Sequence, residues 1–533
     1  MKRIFLKTYA FLLFIFLVVI FFRPITAINE DLGRHILLGN IILSNHFVPA
    51  TNLLSYAFPN YPFINTTWLY EVISALIVKN IGFNGLLFTS CLVVMSACIY
   101  QFHFVSSRFS RKSVLVISFL FLLLLAFRTD VRPEVFSMLF LSIFTVFLYR
   151  YFEKPTRHIF LLIPLEALWV NMHIYFFTGP LIIAVFIIGS FNRKFSKETK
   201  ELLMVFFGVS TSTLLNPNGI KGALFPFVVL RNYGFPVVEN QTIITLFRIY
   251  QNPAIFLPLT VILLVVLLMI IGRKNVARKD VLLVICFGAL FLVNFRNILL
   301  FIFTTFILSV SQLDFVLRKY KKVFKKFPKN SFKFLYPLSV FFIVVLIAKS
   351  ITTHGVGFGV IDYGKGSVNF LLQHNIPGPI YNDFNVGGYL SSRIHPQKVF
   401  VDNRPEAYPK NFFTDTYLPM QKNPKLFETL DKKYKFNTIV VSHYDGTNYK
   451  NPLLRYLVEN SQFSMVYLDD YAMVLVRDTE TNKRLIPKYK ITRETLQLGN
   501  MASKQQALRY VLFFEKIGWK DREEHMLKQL KNM

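Results

Sequence analysis

The residues able to do chemistry gather in short polar motifs between long apolar runs. The densest motif is Asn29-Glu30-Asp31-Leu32-Gly33-Arg34-His35. Two adjacent carboxylates are followed, three and four residues past Asp31, by a guanidinium and an imidazole. On a helix, Asp31 and His35 share one face. A carboxylate partly withdrawn from water at a membrane edge can act as a general base, so Asp31, with Glu30 beside it, is the candidate catalytic pair. Asp31 and His35 could also enter a divalent-metal shell, but two ligands do not define a metal site. The competing reading is a solvated loop with an ordinary Asp/Arg pair.

A second motif, Arg128-Thr129-Asp130-Val131-Arg132-Pro133-Glu134, stands between two apolar runs. Pro133 suits the first turn of a helix, which puts both arginines at its mouth. Arg296, in Asn294-Phe295-Arg296-Asn297, lies at a later turn expected on the same side. A guanidinium binds phosphate through two parallel charge-assisted bonds, so Arg128, Arg132 and Arg296 form a candidate phosphate-binding set. Snorkelling of each arginine to the interface is the simpler alternative. Supporting candidates are Arg34, His35, Glu71, Asn171 and His173. Glu71 begins a helical stretch and could pair with an arginine, a structural ion pair being its simpler role. Asn171 and His173 close a span after Trp169, where a belt residue and a satisfied histidine are the simpler reading. Asn216-Pro217-Asn218-Gly219 reads first as a turn, and Lys221 and Glu239 beyond it are weaker candidates.

Membrane helices must position these groups. About eleven apolar stretches fill the first 350 residues, starting near Thr8, Leu86, Val114, Val135, Ile159, Thr178, Leu202, Ile255, Val281, Ile298 and Phe334. A run of roughly 17–25 apolar residues can cross a bilayer, and a helix satisfies its own backbone there. Mean hydropathy is +0.44 and 53% of residues are hydrophobic, which agrees with a polytopic class. The 60 Lys and Arg against 30 Asp and Glu give a net charge of +30. That charge lies largely in short loops at 1–7, 108–112, 153–158, 192–200, 273–279 and 318–329, all on one side of the predicted spans. Such loops stay cytoplasmic, so the amino terminus is expected inside and the segment after the last span outside. Attraction to anionic lipid explains the charge, and no nucleic-acid role is needed. Cys91, Cys98 and Cys286 fall within predicted spans, leaving no disulfide or paired-cysteine zinc framework outside. The first apolar stretch lacks a usual cleavage site and reads as a retained helix.

Two domains are expected. Residues 1–351 form the transmembrane domain, with large outside loops at 29–68 and 216–252. Residues 352–533 form an extracytoplasmic α/β domain ending in a helical pair, with strands at 399–402, 438–442, 465–468 and 471–477 and helices at 367–373, 453–459, 504–516 and 521–530. Asp383 and the Gly387-Gly388 pair suggest a tight loop close to another backbone or a ligand. Asp402 and Arg404 follow a strand and could supply acceptor contacts, or could form a strand-end turn held by local hydrogen bonds.

The motifs together resemble the GT-C superfamily of membrane glycosyltransferases, which includes protein O-mannosyltransferases and lipid A aminoarabinose transferases. The resemblance is nearer to a group of bacterial GT-C-like integral membrane proteins. It rests on Asp31-Leu32-Gly33-Arg34-His35, residues 62–71, Arg132-Pro133-Glu134-Val135-Phe136-Ser137, residues 169–173, Asn216-Pro217-Asn218-Gly219, Arg296-Asn297, residues 382–390 and Val399-Phe400-Val401-Asp402-Asn403-Arg404. It covers most of the chain, and order and spacing carry it. The first loop has no Asp-x-Asp metal motif, and Arg34 stands where an aromatic residue is expected before the histidine. The resemblance implies inverting transfer of a sugar from a polyprenyl-phosphate donor to a glycan, lipid or protein acceptor. Asp31 would be the base and arginines would hold the phosphate. No cofactor follows beyond the open question of a divalent metal. The setting implied is a bacterial inner membrane, with membrane lipids as neighbours. A transporter or flippase for lipid-linked glycans and a non-catalytic scaffold are the alternatives. The first calls for broken helices or matching halves, and no duplication is visible; the second has no use for converging carboxylates and arginines.

Overall fold

The computed structural model describes residues 2–26, 28, 30–190, 196–321, 329–443, 451–499, 501 and 503–533. Asn29 and parts of the basic loops at 192–200 and 318–329 lie outside the described residues. The chain forms two compact units. The first comprises residues 1–25, 66–226 and 236–360; the second comprises 26–65, 227–235 and 361–533. The loop carrying Glu30 and Asp31 therefore folds with the carboxyl-terminal residues.

The helices run in chain order as α1 (Lys2–Phe21), α2 (Leu32–Asn45), α3 (Trp68–Ser106), α4 (Arg111–Leu125) and α5 (Glu134–Glu153). They continue as α6 (Leu162–Met172), α7 (Thr178–Ser190), α8 (Lys197–Ser212), α9 (Gly219–Asn232) and α10 (Ile243–Tyr250). Next come α11 (Leu257–Ile271), α12 (Arg278–Val293), α13 (Ile298–Lys319) and α14 (Lys329–His354). Each of the eleven predicted apolar stretches is helical. Among the described residues, five helical segments are long and apolar enough to cross a membrane: Trp68–Ser106, Glu134–Glu153, Pro253–Ile271, Phe295–Lys319 and Pro337–His354. A shorter apolar helical stretch among the described residues is Ile174–Ser190. The chain is thus a multi-pass membrane protein.

In the first unit α13 is central, and its apolar side chains from Ile298 to Leu308 are buried. α14 instead presents Leu338, Phe341, Phe342, Val344 and Val345 outward, as a lipid-facing helix does. Gly82 interrupts α3 at φ 77°, a left-handed conformation that glycine adopts without cost. The break separates the first turns, with Glu71, from the apolar run near Leu86. One end of this unit is tied by Arg108 to Glu153, by the Tyr149 hydroxyl donating to Asp280, and by Asp314 accepting from Ser113.

The second unit contains a four-stranded mixed sheet: β1 (Ile380–Asn382), β2 (Thr438–Ser442), β3 (Phe463–Leu468) and β4 (Ala472–Arg477), in the order β1-β2-β4-β3. β1 lies parallel to β2, and β4 is antiparallel to both neighbours. Around it lie α15 (Lys365–Gln373), α16 (Phe384–Ile394), α17 (Lys425–Tyr434) and α18 (Asn451–Glu459), followed by the paired α19 (Lys504–Ile517) and α20 (Lys520–Asn532). Two expectations need correction. Residues 399–402 are not a strand: Val399 makes one isolated bridge to Ser55, and the backbone then turns. Gly387 and Gly388 lie inside α16 rather than in a loop. The expected close approach is present, since a Cβ at Gly387 would strike the Val401 carbonyl.

Candidate functional site

Each unit holds one polar constellation. In the first unit, the link from α4 to α5 and the turn before α13 bring three arginines together. Arg128 follows the end of α4, its N–H donating to the Leu125 carbonyl at 2.9 Å. Pro133 caps α5, so Glu134 opens the helix. Arg296 sits in the turn Phe295–Asn297, where the Asn294 side chain accepts from its backbone N–H at 3.0 Å.

Two carboxylates knit these cations. Arg128 grips Glu134 with Nε at 3.0 Å and Nη2 at 2.8 Å, and Arg296 Nε reaches Glu134 at 3.4 Å. Glu239 accepts from Arg132 at 2.5 Å and lies 3.2 Å from Arg128 Nη1. Glu134 is 1% exposed, whereas Glu239 is 31% exposed. Burial acts to raise the Glu239 pKa, but Arg132 and Arg128 outweigh it and hold the carboxyl well below the usual range. Glu134 and Glu239 thus each bridge two of the arginines.

Supporting groups surround this end of the bundle. Trp169 Nε1 donates to the Ser137 hydroxyl at 2.8 Å, and the same hydroxyl is hydrogen-bonded to His173 Nδ1 at 2.9 Å. The Tyr175 hydroxyl donates to the Arg296 carbonyl at 3.2 Å. Asn171 accepts from Trp68 Nε1 at 2.7 Å and donates to the carbonyls of Ala167 and Leu215, pinning α6 to α3 and to the turn before α9. Glu71 is buried in the first turn of α3 and accepts from Thr67 at 3.3 Å. Between α1, α3, α4 and α13 lies an apolar cavity of about 180 Å³, lined by Leu13, Phe14, Phe102, Phe121, Leu122 and Phe306.

In the second unit, Asp31 stands at the amino-terminal end of α2, its carbonyl accepting the first helical bond from His35. Its carboxylate does not cap the helix. Arg34 and His35 are both buried, with Arg34 Nη2 3.5 Å from His35 Nε2. Arg34 Nε donates to Asn403 Oδ1 at 3.0 Å, and Asn403 Nδ2 donates to the Glu30 carbonyl at 3.0 Å. These bonds hold the Glu30–His35 segment against residue 403.

Asp402, Arg404 and Asp383 are all buried within the second unit. Arg404 binds Asp402 through Nε and Nη2, both at 2.8 Å, and Nη2 also reaches Asn52 at 2.8 Å. The Tyr408 hydroxyl donates to Asp402 at 2.9 Å, and the guanidinium lies over Phe63. Asp402 and Arg404 are 0% and 1% exposed, so they serve as an internal lock. Burial pushes the Asp402 carboxyl upward, but Arg404 holds it below its ordinary range. Asp383 is likewise buried: it caps α16 by accepting from Val386 N–H, and it accepts from Ser442 N–H, both at 2.9 Å. Among the described residues, no three His, Cys, Asp or Glu side chains form a metal shell.

Sequence reasoning passed over Glu134 and ranked Glu239 low. Glu134 carried a signal, six residues past Arg128 and adjoining Pro133 at a helix start. Glu239 lies 107 residues from Arg132, and no local pattern announces that pairing.

No protein-family model and no curated protein matches this sequence. Solved structures do match its fold. The oligosaccharyltransferase of the archaeon Archaeoglobus fulgidus, in complex with an inhibitory peptide and a dolichol-phosphate, aligns with 98% of this chain and 84% of its own. The TM-score is 0.58 at 11% identity. A crystal structure of an oligosaccharyltransferase from the same organism, with zinc and sulfate, aligns over 96% and 83% at TM-score 0.51 and 12% identity. ArnT from Cupriavidus metallidurans in the apo state aligns over 87% and 96% at TM-score 0.46 and 11% identity. The chain thus shares its fold with the two oligosaccharyltransferase structures.

Proposed function

We propose that this protein is a membrane glycosyltransferase that moves a sugar from a polyprenyl-phosphate donor to an acceptor hydroxyl on the extracytoplasmic side. The observation that carries this reading is the convergence of Arg128, Arg132 and Arg296 at one end of the membrane helices. Guanidiniums gathered at a membrane edge suit the phosphate of a lipid-anchored donor. The apolar cavity among α1, α3, α4 and α13 supports a substrate with a hydrocarbon tail. The fold shared with a structure that holds a dolichol-phosphate agrees with this substrate class.

In the proposed reaction the acceptor oxygen attacks the anomeric carbon as the carbon–oxygen bond to phosphate breaks, with inversion. The hydroxyl proton passes to Asp31, and the bonding electrons leave on the phosphate oxygen. The arginines stabilise the charge that grows there. We place the amino terminus in the cytoplasm of a bacterial cell, about eleven passes in the inner membrane, and residues 352–533 outside. A glycan, lipid or protein supplies the hydroxyl.

The test is direct. The full chain is purified into lipid nanodiscs and incubated with a set of polyprenyl-phosphate sugars and candidate acceptors, and release of polyprenyl phosphate is followed. Acceptor-dependent release that is lost in Asp31→Asn and Arg132→Gln supports the reading. Release unaffected by both substitutions contradicts it.

A further inference from the structure

The connection between α8 and α11 runs along one end of the membrane helices. Just before α9, the Leu215 carbonyl accepts from Asn171 at the end of α6, at 2.8 Å. Beyond α9, the Gln241 carbonyl accepts from Phe295 N–H at 3.1 Å, and Phe295 opens a segment long and apolar enough to cross a membrane. After α10 the chain enters another such segment at Pro253. Leu215, Gln241 and Pro253 therefore hold the connection at the level where helices leave the bilayer.

α9 carries apolar residues on two faces. Phe225 and Val229, four residues apart, are buried together with Ala223. Ile220, Leu224 and Val228 form a second row at the same spacing, along one side of the helix. They remain 64%, 53% and 43% exposed. α10 repeats the pattern, with Ile243 and Leu246 buried and Ile244 exposed. A helix that is apolar all round belongs in a protein core or in lipid. The 14 residues of α9 extend about 21 Å, too short for a hydrocarbon core of about 30 Å, so this helix does not cross the membrane.

Charge narrows the choice of what covers the exposed row. Lys221, Arg231 and Arg248 are exposed. Lys221 precedes Leu224 by three residues and Arg231 follows Val228 by three, so both cations border the row. From Leu202 to Lys279 the one acidic residue is Glu239, and it is engaged with Arg132 and Arg128. An apolar row edged by cations fits a surface that is hydrocarbon within and negative at its rim.

We propose that α9 lies flat in the membrane interface and binds anionic phospholipid. Ile220, Leu224 and Val228 rest among the acyl chains, and Lys221, Arg231 and Arg248 contact the headgroups. The connection is then a membrane anchor rather than a solvated loop, and it sets Glu239, between α9 and α10, at headgroup depth. Nothing in this placement depends on sugar transfer.

The full chain carrying Leu224→Trp is reconstituted into nanodiscs of phosphatidylcholine and phosphatidylglycerol, and the emission gained over wild type is followed. Phosphatidylcholine brominated in its acyl chains should quench that emission by about half, and iodide in the buffer should leave it unchanged. Ile220→Trp serves as the second variant if Leu224→Trp folds poorly. Quenching by iodide and not by brominated lipid overturns the proposal. Resistance to both quenchers overturns it too, because protein would then cover the row. Native mass spectrometry next measures phosphatidylglycerol retained by wild type and by Lys221→Gln, Arg231→Gln and Arg248→Gln. Each lost charge should weaken retention about fivefold. Retention equal to wild type in all three variants overturns the headgroup assignment.

Discussion

Arg128 and Glu134 meet across Pro133 through two parallel bonds, Nε to Oε1 at 3.0 Å and Nη2 to Oε2 at 2.8 Å. Both are nearly enclosed, so each charge depends on the other. Glu134→Gln should leave the guanidinium undercompensated and cost roughly 3 kcal/mol. A lowered thermal unfolding midpoint in nanodiscs, larger than that of Glu239→Gln, checks this. Equal midpoints would mean that Glu134 has no special structural weight.

The Asp402–Arg404 lock makes a parallel prediction for the second unit. Arg404→Met removes the partner of a fully buried carboxylate and should destabilise by about 3–5 kcal/mol. Adding Asp402→Asn should recover part of that loss, because the uncompensated charge is gone. Denaturant unfolding of the full chain reads both; a double variant no better than the single one would contradict the account.

Gly387 has no room for a side chain. A Cβ there meets the Val401 carbonyl, a backbone atom that cannot rotate away. Gly387→Ala should cost about 1–3 kcal/mol by overpacking. An unfolding midpoint unchanged from wild type would show that α16 can shift freely.

Asp469 gives the second unit a pH dependence. Burial raises its pKa to about 6, although Ala472 and Tyr471 N–H groups donate to it. An acid whose folded pKa lies above its unfolded value, near 3.9, holds its proton more tightly when folded. Its contribution is fully present below about pH 4 and is lost as pH rises through about 6. Asp469→Asn keeps an acceptor for the two N–H groups and removes the charge. The variant should therefore gain on wild type across that window, by about 2 kcal/mol after allowance for partial exposure. A stability difference that does not vary between pH 4 and 7 would rule this out.

Much of this architecture is legible in the sequence because membrane helices announce themselves by composition, and the hairpin of β3 and β4 by apolar runs around Asp469-Asp470. Legibility failed where long-range partners decide. Val399-Phe400-Val401 has strand composition, but Ser55 supplies only one bridge to it. Gly387-Gly388 looked like a loop, although Asp383 three residues before Val386 is a helix-cap signal that could have overruled it. Asp402-Asn403-Arg404 reads either as an acceptor contact or as a strand-end turn, because buried and substrate-facing ion pairs use the same residues. Its enclosure comes from Asn52 and Phe63, more than 340 positions away, which no local pattern announces. Arg128, Arg132 and Arg296 stand out in the sequence because each lies at an apolar boundary, where a charge is costly without a partner.

The central claim is sugar transfer with Asp31 as base. It is tested most directly by mass spectrometry of surface glycans and lipid-linked intermediates in wild-type, deletion and Asp31→Asn cells, with expression matched. The account predicts that deletion and Asp31→Asn lose the same sugar while the polyprenyl-phosphate donor accumulates. An Asp31→Asn strain indistinguishable from wild type would contradict the assigned base, and a deletion that changes no glycan would contradict glycosyl transfer itself.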